Sequence, residues 1–207
     1  MKIGIIGAGH IGGTVAKLCA NAGHQVCISN SRGPESLAEL LKELGPNVQA
    51  STVNGAAAFG EIVLLAAPWR TLEALPSPSV ISGKIVIDAM NPYAPDGSVY
   101  ELRDITATEK TASRLPGARV VKAFNTIWSE NLRTLGTPEE GKRITIFVAG
   151  DDADAKATVA QLIGDMGFAA LDTGTLRVGG LRQAVGSPLY NTAMTLEQAK
   201  AALASMP

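Results

Sequence analysis

Apolar residues in this chain gather into eight short runs, each followed by a polar or helically spaced stretch. Ile3, Ile5 and Ile6 open the series, and residues 25–28, 48–51, 61–67, 84–88, 119–123, 143–149 and 168–171 continue it. Short, β-branched runs of this kind predict buried strands. Between them the spacing turns helical. Val15, Leu18 and Cys19 share one face with Ala22 a turn later, and Leu37, Leu40, Leu41 and Leu44 share another. That second helix is opened by Pro34-Glu35-Ser36 and stopped by Gly45-Pro46. Further helices are predicted over 54–59, 71–75, 106–115, 129–135 and 153–166, and residues 181–206 read as mainly helical. In that tail Leu189, Ala193, Leu196, Ala199 and Leu203 fall at helical spacing. Regular alternation of strand and helix predicts an α/β fold, a doubly wound and mainly parallel sheet with right-handed crossovers and a C-terminal helical segment. The 207 residues read as a single domain with a helical extension over about 181–207.

The first strand runs directly into Gly7, Ala8, Gly9, His10, Ile11 and Gly12, a G-x-G-x-x-G that opens a helix. Strand, glycine turn and helix in this order form the dinucleotide-binding fingerprint of Rossmann-type sheets. Gly7 permits the tight turn, Gly9 lets a pyrophosphate approach the backbone, and Gly12 lets the helix pack closely on the strand. The unpaired N–H groups of the helix's first turn, at the positive end of its dipole, attract the phosphates. His10 and Ile11 supply two of those groups. In doubly wound sheets ligands bind outside the carboxyl ends of the strands, so residues 7–12, 29–32, 66–70, 89–93 and 123–128 are expected to form one rim.

At the end of the second strand an Asp or Glu would bind the adenosine ribose and repel a 2′-phosphate. This chain has Ser29, Asn30, Ser31 and Arg32 there, with no acid. Two hydroxyls, an amide and a guanidinium suit a phosphate, so NADP is expected over NAD. An ordinary polar turn before Pro34 is the alternative.

Composition narrows the partners. Eighteen basic and nineteen acidic residues give a formal charge of −1, which suggests neither nucleic acid nor an anionic membrane surface as partner. Cys19 and Cys27 lie in apolar segments without metal-ligand spacing and read as buried thiols of an intracellular protein, so a cytoplasmic location is expected. No signal-peptide pattern or membrane-spanning run is read. Two histidines exclude a histidine-rich metal site, and no metal is expected.

Together these motifs resemble the small NADP oxidoreductases that use the deazaflavin coenzyme F420, and the related NADPH-oxidising domain of STEAP-type metalloreductases. The resemblance runs nearly end to end. It covers the glycine loop, the Ser31-Arg32 pair, Ala67-Pro68-Trp69, Phe124-Asn125-Thr126, Gly150-Asp151-Asp152, and Leu171-Asp172 with Gly174 and Leu176. It implies hydride transfer between NADPH and a second ring system, either F420 or FMN/FAD, and a homodimer. It further implies that Pro68 and Trp69 flank the nicotinamide ribose and that Asn125 and Thr126 line the floor beneath the acceptor ring. F420-using members often carry His where this chain has Asn125, whereas the metalloreductase-like members carry Asn.

No general acid or base is evident. His10 reads as a loop side chain, and Asp88 as a structural carboxylate with proton relay as the alternative. Asn91 either binds a cofactor amide or shapes the turn at Pro92. Asp151 and Asp152 read as a helix N-cap and a first-turn acid rather than metal ligands. Trp69 is expected in the cleft, and Trp128 is left open between core and stacking platform. Two other functions compete: a dehydrogenase acting directly on a small substrate, for which Lys122 is the nearby proton donor, and a non-enzymatic NADPH sensor.

Overall fold

The computed structural model describes residues 1–137 and 139–206. Eight strands, β1 (Lys2–Ile6), β2 (Gln25–Ser29), β3 (Val48–Ala50), β4 (Ile62–Leu65), β5 (Ile85–Asp88), β6 (Arg119–Lys122), β7 (Thr145–Gly150) and β8 (Ala169–Asp172), form one sheet in the order β3-β2-β1-β4-β5-β6-β7-β8. All eight predicted strands are present. Every neighbouring pair is parallel except β6 and β7, which run antiparallel, with Lys122 opposite Ala149 and Val121 opposite Gly150. The chain crosses back between β1 and β4, so the strand order reverses beside β1, the position where such sheets bind ligands.

Helices cover both faces. They are α1 (His10–Asn21), α2 (Ala38–Leu44), α3 (Val53–Phe59), α4 (Pro78–Ile81), α5 (Ala107–Ser113), α6 (Ser129–Thr134), α7 (Ala153–Asp165), α8 (Leu176–Arg182) and α9 (Leu196–Ala204). Alternate strand residues feed two cores. Ile3, Ile5, Val26, Leu64 and Val121 pack with α1 and α7, whereas Ile6, Val63, Leu65, Val86 and Val120 pack with the α3 side. Strands buried on both faces read as continuous apolar runs, which is why their positions were legible.

Three helical expectations are corrected. The helix predicted from Pro34 is a 3-10 turn, Pro34–Leu37, followed by α2, with a break at Leu37. Residues Trp69–Ala74 form 3-10 turns, not an α-helix. The tail is not one mainly helical segment. Residues 183–195 are turns and irregular chain between α8 and α9. Gly186 at φ 84° and Pro188 two residues on interrupt the helix, and Thr195 restarts it with a capping box to Gln198. Leu189 and Ala199 therefore lie on different elements. Both are buried in a small cluster with Phe147 of β7, so the chain's own sheet covers part of the predicted apolar stripe.

Candidate cofactor and hydride-acceptor site

The carboxyl ends of β1, β2, β4, β5 and β6 point the same way, so the five expected rim segments share one edge. The glycine loop is set first. The Gly7 N–H donates to the Ser29 carbonyl, 2.9 Å, which ties the loop to the end of β2. Gly7 has φ 109°, and a Cβ there would lie 2.5 Å from the Ala66 carbonyl oxygen. A Cβ on Gly12 would run into the Gly7 carbonyl. Gly9 differs: nothing lies within 4 Å of the place its Cβ would take. It is the N-cap of α1 and brings no side-chain cap, so the first-turn N–H groups of His10, Ile11 and Gly12 have no capping side chain. Two glycines thus build the turn, and the third leaves open space in front of a bare helix N-terminus, which fits a pyrophosphate. The His10 side chain is exposed.

At the end of β2 the expected phosphate-binding residues divide. The Ser29 hydroxyl is fully buried and donates to the Ile5 carbonyl, 3.1 Å. The Asn30 amide donates to Ser36 Oγ, and its oxygen accepts from the Arg32 N–H. Both side chains shape the turn. Ser31 and Arg32 are exposed, and no protein partner engages the Arg32 guanidinium among the described residues.

After β4, Ala67 is half-buried and Pro68 exposed, whereas the Trp69 side chain is 8% exposed and packs in the α3-side core. Its indole N–H donates to the Ala107 carbonyl, and its ring lies 5.7 Å from that of Tyr100. The indole is a core side chain, not an open face of the cleft. Trp128 is 61% exposed.

The ends of β5 and β6 are joined by carboxamides. The Asn91 Nδ2 donates to the Asn125 carbonyl, 2.8 Å, and the Asn125 Nδ2 donates to Asn91 Oδ1, 3.1 Å, and to the Gln183 carbonyl, 2.9 Å. Asn125 Oδ1 is buried without a partner. Phe124, just before it, has φ 64°, a rare conformation for a bulky residue. Beneath this floor Asp88 and Lys122 are register partners on β5 and β6, and both are buried. They hold opposite ends of Met90: Asp88 Oδ1 accepts from its N–H, 3.0 Å, and Lys122 Nζ donates to its carbonyl, 3.4 Å. Burial pushes the Lys122 ammonium below its ordinary pKa, and the Asp88 charge partly offsets this.

The acids after β7 lie elsewhere. Because β7 is antiparallel to β6, its carboxyl end meets the amino end of β6, opposite the rim. Asp152 caps α7 by accepting from the Ala155 N–H, and its two oxygens accept from Nε and Nη2 of Arg119. Asp151 accepts from the Leu176 N–H at the start of α8, so the first-turn acid of α7 is Asp154. Both expected acids are caps, though of two different helices. No cluster of three or more His, Cys, Asp or Glu residues suited to a metal occurs among the described residues.

Residues 2–92 match the family model described as NADP oxidoreductase, coenzyme F420-dependent. The matched residues run from β1 to the loop after β5 and so take in the glycine loop and the Ser31-Arg32 turn. The rat (Rattus norvegicus) metalloreductase STEAP3 is 31% identical over 176 residues, 84% of this chain and 34% of that protein. The chain thus spans about a third of the length of this curated relative. The hypothetical protein SMa0349 from Sinorhizobium meliloti is 33% identical, with a TM-score of 0.83 over 94% of this chain and 95% of its own. A protein from Arthrobacter sp. FB24, provisionally described as an F420-dependent NADP reductase, is 28% identical with a TM-score of 0.75, over 94% of this chain and 99% of its own.

The C-terminal segment also reaches the rim, which no local motif signalled. Gln183 is fully buried at the end of α8. Its amide donates to Thr173 Oγ1, 2.8 Å, and its carbonyl accepts from Asn125. The Asn191 N–H donates to the Thr126 carbonyl, 2.7 Å, and the Tyr190 hydroxyl meets that of Tyr93 at 2.9 Å. No helix among the described residues is long and apolar enough to cross a membrane.

Proposed function

We propose that this protein is an NADP oxidoreductase that transfers hydride between NADP(H) and a planar ring acceptor, a deazaflavin of the F420 type or a flavin such as FMN or FAD. The observation that carries this reading is the pairing of open space at Gly9, before the uncapped start of α1, with an unengaged Arg32 at the neighbouring strand end. One site accepts a pyrophosphate and the other a 2′-phosphate. The backbone of residues 67–69 then runs beside the nicotinamide ribose, and Asn91, Asn125 and Thr126 form the floor on which the two rings meet. NADPH supplies the hydride. The protein's share is to orient the two rings and exclude water between them.

The names of the family and of the Arthrobacter protein favour a deazaflavin, and STEAP3 is named a metalloreductase. Direct reduction of a small substrate with Lys122 as proton donor is disfavoured, because its ammonium is buried and donates to the Met90 carbonyl. A homodimer is part of the proposal; it rests on the resemblance and on Val178 and Leu181, exposed one turn apart on α8.

The deciding assay follows NADPH oxidation at about 340 nm with F420, FMN and FAD offered in parallel, since the absorbance belongs to the reduced cofactor. Turnover with at least one is expected. Tight NADPH binding with no turnover on any of the three would sink the enzymatic reading in favour of a sensor. Sedimentation as a monomer at micromolar concentration would remove the dimer.

A further inference from the structure

Two tyrosines from distant parts of the chain meet at the acceptor end of the rim. Tyr93 lies two residues beyond Asn91, in a loop folded back on itself. Its N–H donates to the Asn91 carbonyl, 2.8 Å, it bridges to Val99, and the Tyr100 N–H donates to the Pro92 carbonyl, 2.8 Å. Tyr190 is held by its neighbour, since the Asn191 N–H donates to the Thr126 carbonyl. The hydroxyl pair therefore joins the loop that follows β5 to the tail segment bonded at Thr126. Both tyrosines are half-buried.

Backbone strain marks the same junction. Phe124 (φ 64°) and Asn191 (φ 54°) are the two non-glycine residues with positive φ among the described residues. Asn adopts that conformation readily, but Phe does so only where its surroundings force it, and such strain gathers at functional sites.

One hydrogen fills the contact between the two oxygens, which leaves the other phenol hydrogen without a protein acceptor among the described residues. Of the two, Tyr93 is the one carried by the rim loop after β5. Burial, with Tyr93 beside it, pushes the Tyr190 phenol above its ordinary pKa, so it keeps its proton.

We propose that the Tyr93 hydroxyl donates a hydrogen bond to a ring carbonyl of the hydride acceptor, and that Tyr190 is the positioning residue that aims it. As hydride leaves the nicotinamide, two electrons and one hydrogen pass to the acceptor ring. NADPH becomes NADP+, and the reduced ring carries a negative charge that conjugation spreads onto its carbonyl oxygen. A fixed donor there stabilises the transition state more than the ground state. Solvent supplies the neutralising proton, and both tyrosines keep theirs. This rests on the proposed acceptor class.

The test uses the full chain as wild type, Tyr93→Phe, Tyr190→Phe and the double variant. NADPH affinity is read from nicotinamide fluorescence without acceptor, and kcat and KM are read with whichever of F420, FMN or FAD the wild type reduces. For Tyr93→Phe, kcat/KM should fall about 100- to 1,000-fold, the scale for one lost donor to developing charge, while the NADPH Kd stays within about twofold. Tyr190→Phe should fall less, and the double variant should be no worse than Tyr93→Phe, because Tyr190 acts through Tyr93. Unchanged kcat/KM in Tyr93→Phe overturns the proposal. So does a loss confined to NADPH affinity, which would assign the pair to the nicotinamide. Should Tyr93→Phe not fold, an unchanged kcat/KM in Tyr190→Phe overturns it instead. A wild type that reduces none of the three acceptors defeats the acceptor class itself, a failure separate from any tyrosine effect.

Discussion

Asn91 and Asn125 grip one another by two hydrogen bonds, each side chain donating to the other residue, and so tie the loop after β5 to the loop after β6. Asn125 adds a third bond to the Gln183 carbonyl, which draws in the C-terminal segment. One carboxamide therefore fixes three pieces of chain. Asn125→Ala would leave Asn91 Oδ1 and the Gln183 carbonyl without this donor. The expected cost is about 3 kcal/mol, the scale for orphaned buried polar groups. Asn125→Asp should cost more, because it sets acceptor against acceptor. Urea denaturation at neutral pH reads both, and an Asn125→Ala variant as stable as wild type would show that the grip contributes nothing.

The three loop glycines should separate stability from binding. Gly12→Ala drives a methyl into the Gly7 carbonyl, and Gly7→Ala combines φ 109° with a 2.5 Å approach to Ala66. Both should destabilise by about 2 kcal/mol or more. Gly9→Ala meets nothing in the protein. It should fold with a loss of under about 1 kcal/mol, yet weaken NADPH binding at least about tenfold by standing where the pyrophosphate approaches. If thermal melting and NADPH titration placed Gly9→Ala with the destabilised pair, the division of roles would be wrong.

Arg32→Ala tests the choice of cofactor. The side chain is exposed and engages no protein group among the described residues, so the melting temperature should not change. NADPH affinity should fall about 10- to 100-fold, the value of charge-assisted hydrogen bonds to one phosphate. NADH affinity should stay the same, since NADH carries no 2′-phosphate. Equal losses for both cofactors would refute recognition of that phosphate.

How far these features were legible in the sequence depended on the range of the interactions. The strands, the glycine loop and the caps at Thr106, Asp152 and Thr175 are local, so pattern and turn chemistry revealed the strands and the loop and marked Asp151-Asp152 as a capped helix start, though the cap is Asp152 and the first-turn acid Asp154. The tail misled because Leu189 and Ala193 match helical spacing by chance in the turns and irregular chain that follow Gly186 and Pro188. Trp69 follows a rim strand, which suggested the cleft, but burial of its large ring in the core decided its place. Gln183 and Tyr190 were invisible because each acts through a partner more than fifty residues away, at Asn125 and Tyr93. Nothing local encodes such a contact.

The buried pair under the floor gives a test that couples charge to stability. Lys122→Met removes a desolvated ammonium but leaves Asp88 buried and uncompensated, with Oδ2 already lacking a hydrogen-bond partner. The single variant should lose about 3 kcal/mol. Lys122→Met with Asp88→Asn should recover most of that loss, because no net charge is then left in the core. The pH dependence has a definite sign. The folded-state pKa of Lys122 lies below the ordinary 10.5, so between the two values the unfolded chain binds more protons than the folded one. Stability contributed by this residue therefore rises with pH through that window and levels off above it. Wild type should gain on the double variant as pH rises toward 10.5. Denaturant midpoints compared across that range decide it; parallel curves would mean that Lys122 titrates alike in both states and that its burial carries no electrostatic cost.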